Sequence, residues 1–211
     1  MSHNAVHMSA LAPEHFTQAA GSLARAFDTD PLYRYILPED STRVARLQWY
    51  FEALLRLGAQ LGEIYTVPGQ VGAVILLPPE RASVPISEAM RAGFWRAPLH
   101  WGIDGSARFM RCIGSFETLH HQVVGEVPHW YLMLLGVDPS AQGQGYGGDL
   151  IDTVIDRVEY AGRGIYLETC TAANVALYEH FNFAVRAETV VEPGSLRVWG
   201  MAREVGLPMR A

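Results

Sequence analysis

Tyr178 and Asn174 stand one helical turn apart, and four glycines crowd residues 143–148. A phenol, with a reference pKa of about 10, stays protonated at neutral pH. It can therefore give its proton to a departing thiolate whose own acid has a pKa of roughly 8.5. A carboxamide four residues earlier on the same helical face can hold an amide-bearing arm beside that phenol. Glycines leave backbone N–H groups uncovered, and a helix that follows them adds unpaired donors and a positive dipole end, so residues 142–148 are suited to hold a phosphate. These are parts needed to move an acyl group from a thioester to an amine, a reaction that also demands a neutral amine and donors for the developing oxyanion.

The elements that must position these groups follow from the apolar spacing. Trp130 to Val137 is an apolar strand, and Leu150, Ile151, Val154, Ile155 and Val158 give the helix after the glycines its buried face, ending near Gly162 and Gly164. Residues 165–170 read as a strand, 172–181 as a helix, and 183–190 and 196–202 as two late strands joined at Glu192-Pro193-Gly194-Ser195. Upstream, residues 5–9 read as a short strand and 13–27 as a helix with Pro13 in its first turn. A longer helix carries Val44, Leu47, Phe51, Leu54 and Leu61 and is capped by Ser41 or Thr42. Residues 64–67 and 71–77 form a hairpin around Pro68-Gly69-Gln70. One βαβ unit among otherwise antiparallel strands predicts a mixed α/β, or α+β, fold with a mostly antiparallel central sheet and flanking helices.

No repeat, low-complexity block or linker divides the 211 residues, so residues 1–211 read as one domain. Residues 80–125 read as a helical insertion, with amphipathic helices at about 87–97 and 106–121. They are either surface helices or a lid that sets specificity, and Phe94, Trp95, Trp101, Phe109 and Phe116 are either core or pocket wall.

Sixteen Lys and Arg against 22 Asp and Glu give a net charge of −6, which argues against a nucleic-acid surface and tolerates a cationic substrate. Two cysteines with no CxxC pair fit a reducing, cytoplasmic setting, and no run of apolar residues is long enough to span a membrane. The N-terminal segment lacks an export pattern, and His3 and His7 belong to a loose terminus. His120, His121, Glu126 and His129 have neither HExxH spacing nor cysteine support, so no metal is expected. Cys170 reads as a small buried hydrophobe rather than an acyl-accepting nucleophile, which favours direct transfer.

The glycines admit two patterns. Gly143-x-Gly145-x-x-Gly148, with Glu168 about 20 residues on, matches a dinucleotide fingerprint. That fingerprint places its first glycine at the strand terminus, whereas here residues 138–142 intervene and Pro139 stops the strand. No Lys followed by Ser or Thr closes the loop, which excludes a Walker site. The other pattern, Gln142-x-x-Gly145-x-Gly147 after Val137-x-Pro139, resembles the pyrophosphate loop of the GNAT acetyltransferase superfamily. The likeness extends to Tyr166-Leu167-Glu168-Thr169 and to Asn174-x-x-x-Tyr178 leading into Phe181-Asn182-Phe183, where Asn182 stands in place of the usual glycine. With the His129-Trp130-Tyr131-Leu132 opening, the chain looks most like the puromycin N-acetyltransferase-like branch, with specific matches over about residues 129–201.

This resemblance implies a GNAT-like fold, acetyl-CoA as cosubstrate, and direct attack by a primary amine of a small-molecule acceptor, in a monomer or homodimer. The cosubstrate would lie against backbone groups of Leu135 and Val137 beside Gly136. It would also meet Gln142, Gly143, Gln144, Gly145, Tyr146, Gly147 and Gly148, with Asn174 on the pantetheine arm. Tyr178 becomes the acid. No carboxylate lies within Trp130–Val137, so Glu168 is the first candidate for the base, directly or through water, and His129 the second. Two rivals remain: a non-catalytic acyl-CoA-binding module and a Rossmann-type NAD(P)-dependent oxidoreductase.

Overall fold

A computed structural model describes residues 8–191, 193 and 196–204. The chain order is β1 (Ser9–Ala10), α1 (Phe16–Ala26), α2 (Pro31–Ile36), α3 (Asp40–Leu61), β2 (Glu63–Thr66), β3 (Gly72–Leu77), α4 (Ile86–Ala92) and α5 (Ala97–Val124). Then come β4 (Trp130–Val137), α6 (Tyr146–Ala161), β5 (Ile165–Thr169), α7 (Ala172–His180), β6 (Ala184–Val191) and β7 (Leu196–Arg203). The strands form one seven-stranded sheet in the order β1-β2-β3-β4-β5-β7-β6, antiparallel at every junction except β4–β5. This is the mixed, mostly antiparallel sheet expected from the strand pattern.

The β4–β5 junction sets up the site. β4 is registered against β3 along its length, with Met133 as an extra residue where Ile75 pairs Leu134 but Leu76 pairs Leu132. Such a bulge increases local twist. β5 instead follows β7 over its whole length, from Ile165↔Arg203 to Thr169↔Trp199. The two strands are in register with each other only at Trp130↔Ile165 and Tyr131↔Tyr166. They start together and then part, leaving a wedge in the middle of the sheet. Each sheet face has its own core: α1, α3 and α5 bury Leu23, Phe51, Leu55 and Trp101 on one side, and α6 buries Leu150, Ile151 and Val154 against Leu76 and Met201 on the other.

The structure departs from the sequence reading in two places. First, α2 had no counterpart in the apolar pattern; it exists because Asp30 caps it, accepting the Leu32 N–H at 2.8 Å, and Pro31 occupies the first turn. α3 then starts at Asp40 after Glu39, so Ser41 and Thr42 lie inside its first turn and cap nothing. Second, the break expected at 98–105 is a kink within α5. Pro98 sits in the first turn, where its missing N–H costs no hydrogen bond, and Gly102 takes φ +69° before the helix resumes. α4 stops earlier than expected, at Gly93, whose φ of +109° ends the helix. Of the strand expected at residues 5–9 only residues 8 and 9 are described, and β1 runs from Ser9 to Ala10; residues 5–7, His3 and His7, and all of the 192–195 turn except Pro193 lie outside the described residues. Among the described residues no helix is long and apolar enough to cross a membrane.

Candidate active site

Alternation along β4 decides which backbone groups face the wedge. Asp138 N–H donates to Val71 O at 2.7 Å, and Val67 N–H to Gly72 O at 3.2 Å, so Gly72 turns its polar groups toward β2. By the antiparallel rule, the Gly72↔Val137 and Val74↔Leu135 pairs exchange no hydrogen bonds with each other. Leu135 and Val137 therefore direct their N–H and C=O groups toward β5, where no β5 residue is in register beyond Tyr166. Gly136 between them marks a close approach rather than a bulge. A Cβ there would come within 2.6 Å of Phe27 Cε2 and 2.9 Å of Leu23 Cδ2, so only glycine lets α1 pack this close to β4.

The chain leaves β4 through a tight turn. The Asp138 carboxylate accepts Ser140 N–H at 2.9 Å and Arg25 Nε–H at 2.6 Å. Burial works to raise its pKa, but the hydrogen bonds from Ser140 and Arg25 outweigh it and hold the group below the usual carboxylate range. Gln142 turns back, its Nε2 donating to Val137 O at 2.9 Å, so this side chain shapes the loop and occupies the Val137 carbonyl. Gly143 and Gly145 take φ of +77° and +90°, which only glycine adopts without strain. Within the loop and the first turn of α6, the first N–H to find a backbone acceptor is that of Asp149, which donates to Gly145 O at 3.1 Å. Among the described residues the N–H groups of residues 143–148 have no intramolecular acceptor. All of these residues except Gln144 border a cleft of about 460 Å³, open over the positive end of α6 and reaching Leu135, Val137, Thr171 and Asn174.

A second cleft, of about 140 Å³, lies between β4, β5 and α5. Tyr178 and Asn174 both line it, and Asn174 lines the first cleft as well. α7 presents them together because Thr171 caps it, its hydroxyl accepting Asn174 N–H at 3.2 Å, and Asn182 ends the segment with φ +63°. Tyr178 is buried, its ring packs on Phe183 at 5.5 Å, and desolvation raises its pKa above the ordinary phenol value. Glu168 opens into the same cleft. Burial pushes its pKa up to about 7, against the phenols of Tyr131 and Tyr166, which favour the charged form.

Asp30 is the cleft residue the sequence did not single out. It borders both clefts with Phe27, Leu135 and Asn174, and burial pushes its pKa up to about 6 despite the hydrogen bond from Leu32 N–H. Its sequence signal was the Asp-Pro pair that starts α2. Cys170 also lines the second cleft, and its thiol is raised by burial, the reverse of what a nucleophilic cysteine needs. Of the aromatics in the 80–125 segment, Phe109 and Phe116 line the cleft, Phe94 and Trp101 are core, and Trp95 is exposed under the Arg96 guanidinium.

His129 stands apart from these groups. It is buried and borders neither cleft, and both ring nitrogens are engaged. Its Nδ1–H donates to Val127 O at 2.6 Å, which leaves Nε2 to accept from His120 Nε2–H at 2.7 Å. Burial, then the neighbouring His129, lowers the His120 pKa to about 4, so His120 is neutral at physiological pH.

A mostly antiparallel sheet with a single parallel junction is not the doubly wound parallel sheet of a dinucleotide fold, and Glu168 faces the inner cleft rather than a ribose beside the loop. The family profile described as "Acetyltransferase (GNAT) domain" matches residues 101–185, from the kinked helix through the loop to β6. Over those residues the chain is similar to GNAT acetyltransferases. A protein of Schizosaccharomyces pombe named as an uncharacterized N-acetyltransferase is 27% identical over 176 residues, 80% of this chain and 70% of that one. A Corynebacterium glutamicum structure described as histone acetyltransferase HPA2 and related acetyltransferase superposes with a TM-score of 0.71 at 20% identity, covering 97% of this chain and 99% of the other. A Drosophila melanogaster polyamine N-acetyltransferase follows at 0.58 and 18%, covering 95% and 100%. These structures share the GNAT fold with this chain.

Proposed function

We propose that this GNAT domain is an enzyme that transfers the acetyl group of acetyl-CoA to a primary amine of a small molecule, by direct attack. The observation that carries it is the placement of unpaired N–H groups at 143–148 at one end of the wedge and Tyr178 with Asn174 on its far wall. The diphosphate would sit on the loop N–H groups and the α6 dipole. The amide-bearing arm would run along Leu135 and Val137 as an added strand, with Asn174 beside it. Gln142 enters as the residue that holds the loop in shape, and Val137 through its N–H. Of the segments behind the puromycin-type likeness, His129 to Leu132, Leu167 to Thr169 and Asn174 to Tyr178, all but His129 itself border or support this wedge, and branch kinship is proposed on that basis.

In the reaction, Glu168 accepts a proton from the substrate ammonium, and the neutral nitrogen forms a bond to the acetyl carbon. Wedge-facing N–H groups of β4 stabilise the oxyanion. The C–S bond then breaks, the Tyr178 hydroxyl donates its proton to the leaving thiolate, and the second proton, shed by the attacking nitrogen as it becomes a neutral amide, returns to the Tyr178 phenolate through solvent. A pKa of about 7 lets Glu168 exchange protons at neutral pH, which a carboxylate at its ordinary 4.5 does poorly. Cys170 takes no part.

Binding and turnover are tested separately. Acetyl-CoA should raise the melting temperature by mass action and NAD(H) should not; stabilisation by NAD(H) alone would remove the assignment. Release of CoA thiol with an amine panel then separates an enzyme from a non-catalytic acyl-CoA-binding module, which would be stabilised by acetyl-CoA but release none.

A further inference from the structure

The inner cleft is polarised, and its polarity describes the acceptor. Only two of its lining side chains carry charge, Asp30 and Glu168, and both are acidic. Asp30 also borders the outer cleft, whereas Glu168, next to Thr169 on β5, lines the inner cleft alone. The opposite wall, from α3 and α5, offers Tyr50, Leu54, Phe109, Cys112, Ile113 and Phe116, with no charged group among them. At about 140 Å³ the cleft is close to the cavity of about 150 Å³ known to hold a benzene ring.

Resting on the acetyltransferase reading, we infer that the acceptor is a compact primary amine with one cationic head and an apolar body about the size of an aromatic ring. The head is held on the acidic side, by Glu168 inside the cleft and Asp30 at its border with the outer one, and the body is buried against Phe109, Ile113 and Phe116. A second ammonium on a long chain would have to enter the apolar end without a partner, where burying an unpaired charge is prohibitive. A peptide or nucleoside-sized amine would not fit the volume.

The test measures kcat/KM with 2-phenylethylamine, spermidine, puromycin and a lysine-containing peptide, alongside Ile113→Phe and Phe116→Ala. 2-Phenylethylamine should exceed each of the others by at least about tenfold, the scale on which an apolar pocket discriminates. Ile113→Phe, which fills the cleft, should lower its value while leaving the acetyl-CoA melting shift intact, and Phe116→Ala should narrow its lead over puromycin. Turnover led by spermidine, puromycin or the peptide would overturn the inference and leave the acetyltransferase reading standing. If acetyl-CoA binds but no amine is turned over, calorimetry of 2-phenylethylamine with the CoA-bound enzyme decides: heat of binding lost in Ile113→Phe supports the cleft assignment while the catalytic reading fails, and no binding overturns both.

Discussion

The loop over residues 143–148 and the cleft beneath α5 recognise by opposite means. The loop uses backbone: N–H groups made available by one turn, two positive φ angles and a helix end, all within a few residues of sequence. The cleft uses side chains brought from α1, α2, α3, α5, β4, β5 and α7, which meet only in the folded protein. A backbone site fixed by local geometry suits a cosubstrate that never changes, whereas a side-chain site can be rebuilt for a new acceptor without touching the loop.

If that division holds, substitutions in the two regions should separate turnover from cosubstrate binding. The largest effect is expected from Tyr178→Phe, which should lower kcat by about 10²- to 10⁴-fold while the acetyl-CoA melting shift stays unchanged. Unchanged kcat would reject the acid role. Glu168→Gln should lower kcat by roughly 10²-fold and abolish the rise of kcat/KM through pH of about 7 that belongs to an ionising base. A persistent limb in the variant would assign it to the amine or to Asp30.

Glu168 also leaves a mark on stability, independent of any substrate. Its folded pKa is raised from 4.5 to about 7 by burial, so the folded state holds the proton more tightly than the unfolded chain. The stability it contributes is complete below the unfolded value and is lost as pH rises through the folded one. Glu168→Gln should therefore gain melting temperature relative to the parent between pH 5 and pH 8. Asp30 shifts in the same direction in both proteins and cancels in the difference.

The loop substitution is expected to do the reverse of the cleft substitutions. Gly145→Ala must place a Cβ at φ +90°, a conformation that costs an L-residue about 1–2 kcal/mol, so the acetyl-CoA Kd should rise by roughly fivefold to thirtyfold at most, with kcat little altered. Asn174→Ala, at the border of the two clefts, should give the smallest change, a few-fold rise in the KM for acetyl-CoA that mirrors one lost hydrogen bond of roughly 1 kcal/mol. A large fall in kcat instead would move Asn174 into the chemistry.

The same contrast explains what could be read from sequence. β4, the glycine loop, α6 and α7 carry their signals locally, in an unbroken apolar run, turn glycines and i, i+4 spacing, and their bounds lie within a residue or two of the expected ones. Asn174 and Tyr178 came with them, being one turn apart on one helix. Asp30 did not, because its only signal is a capping Asp-Pro pair, and the wedge that gives it meaning depends on β5 pairing with β7, nearly forty residues away in sequence. His129 drew notice by sitting beside β4, but its neighbour in the fold is His120 on α5, and that contact consumes the nitrogen a base would need. α5 hid its continuity because Pro98 and Gly102 look like a break, and only the packed helix shows the first in its opening turn and the second as a kink.

Amide hydrogen exchange across residues 143–148, measured with and without acetyl-CoA and with N-acetylcysteamine thioester, which lacks the diphosphate, is the most direct test of the proposed site. Exchange at these positions should slow markedly with acetyl-CoA and not with the truncated thioester. Saturating acetyl-CoA that leaves these amides exchanging as before would contradict the assignment of the loop to the diphosphate, and with it the placement of the thioester beside Tyr178.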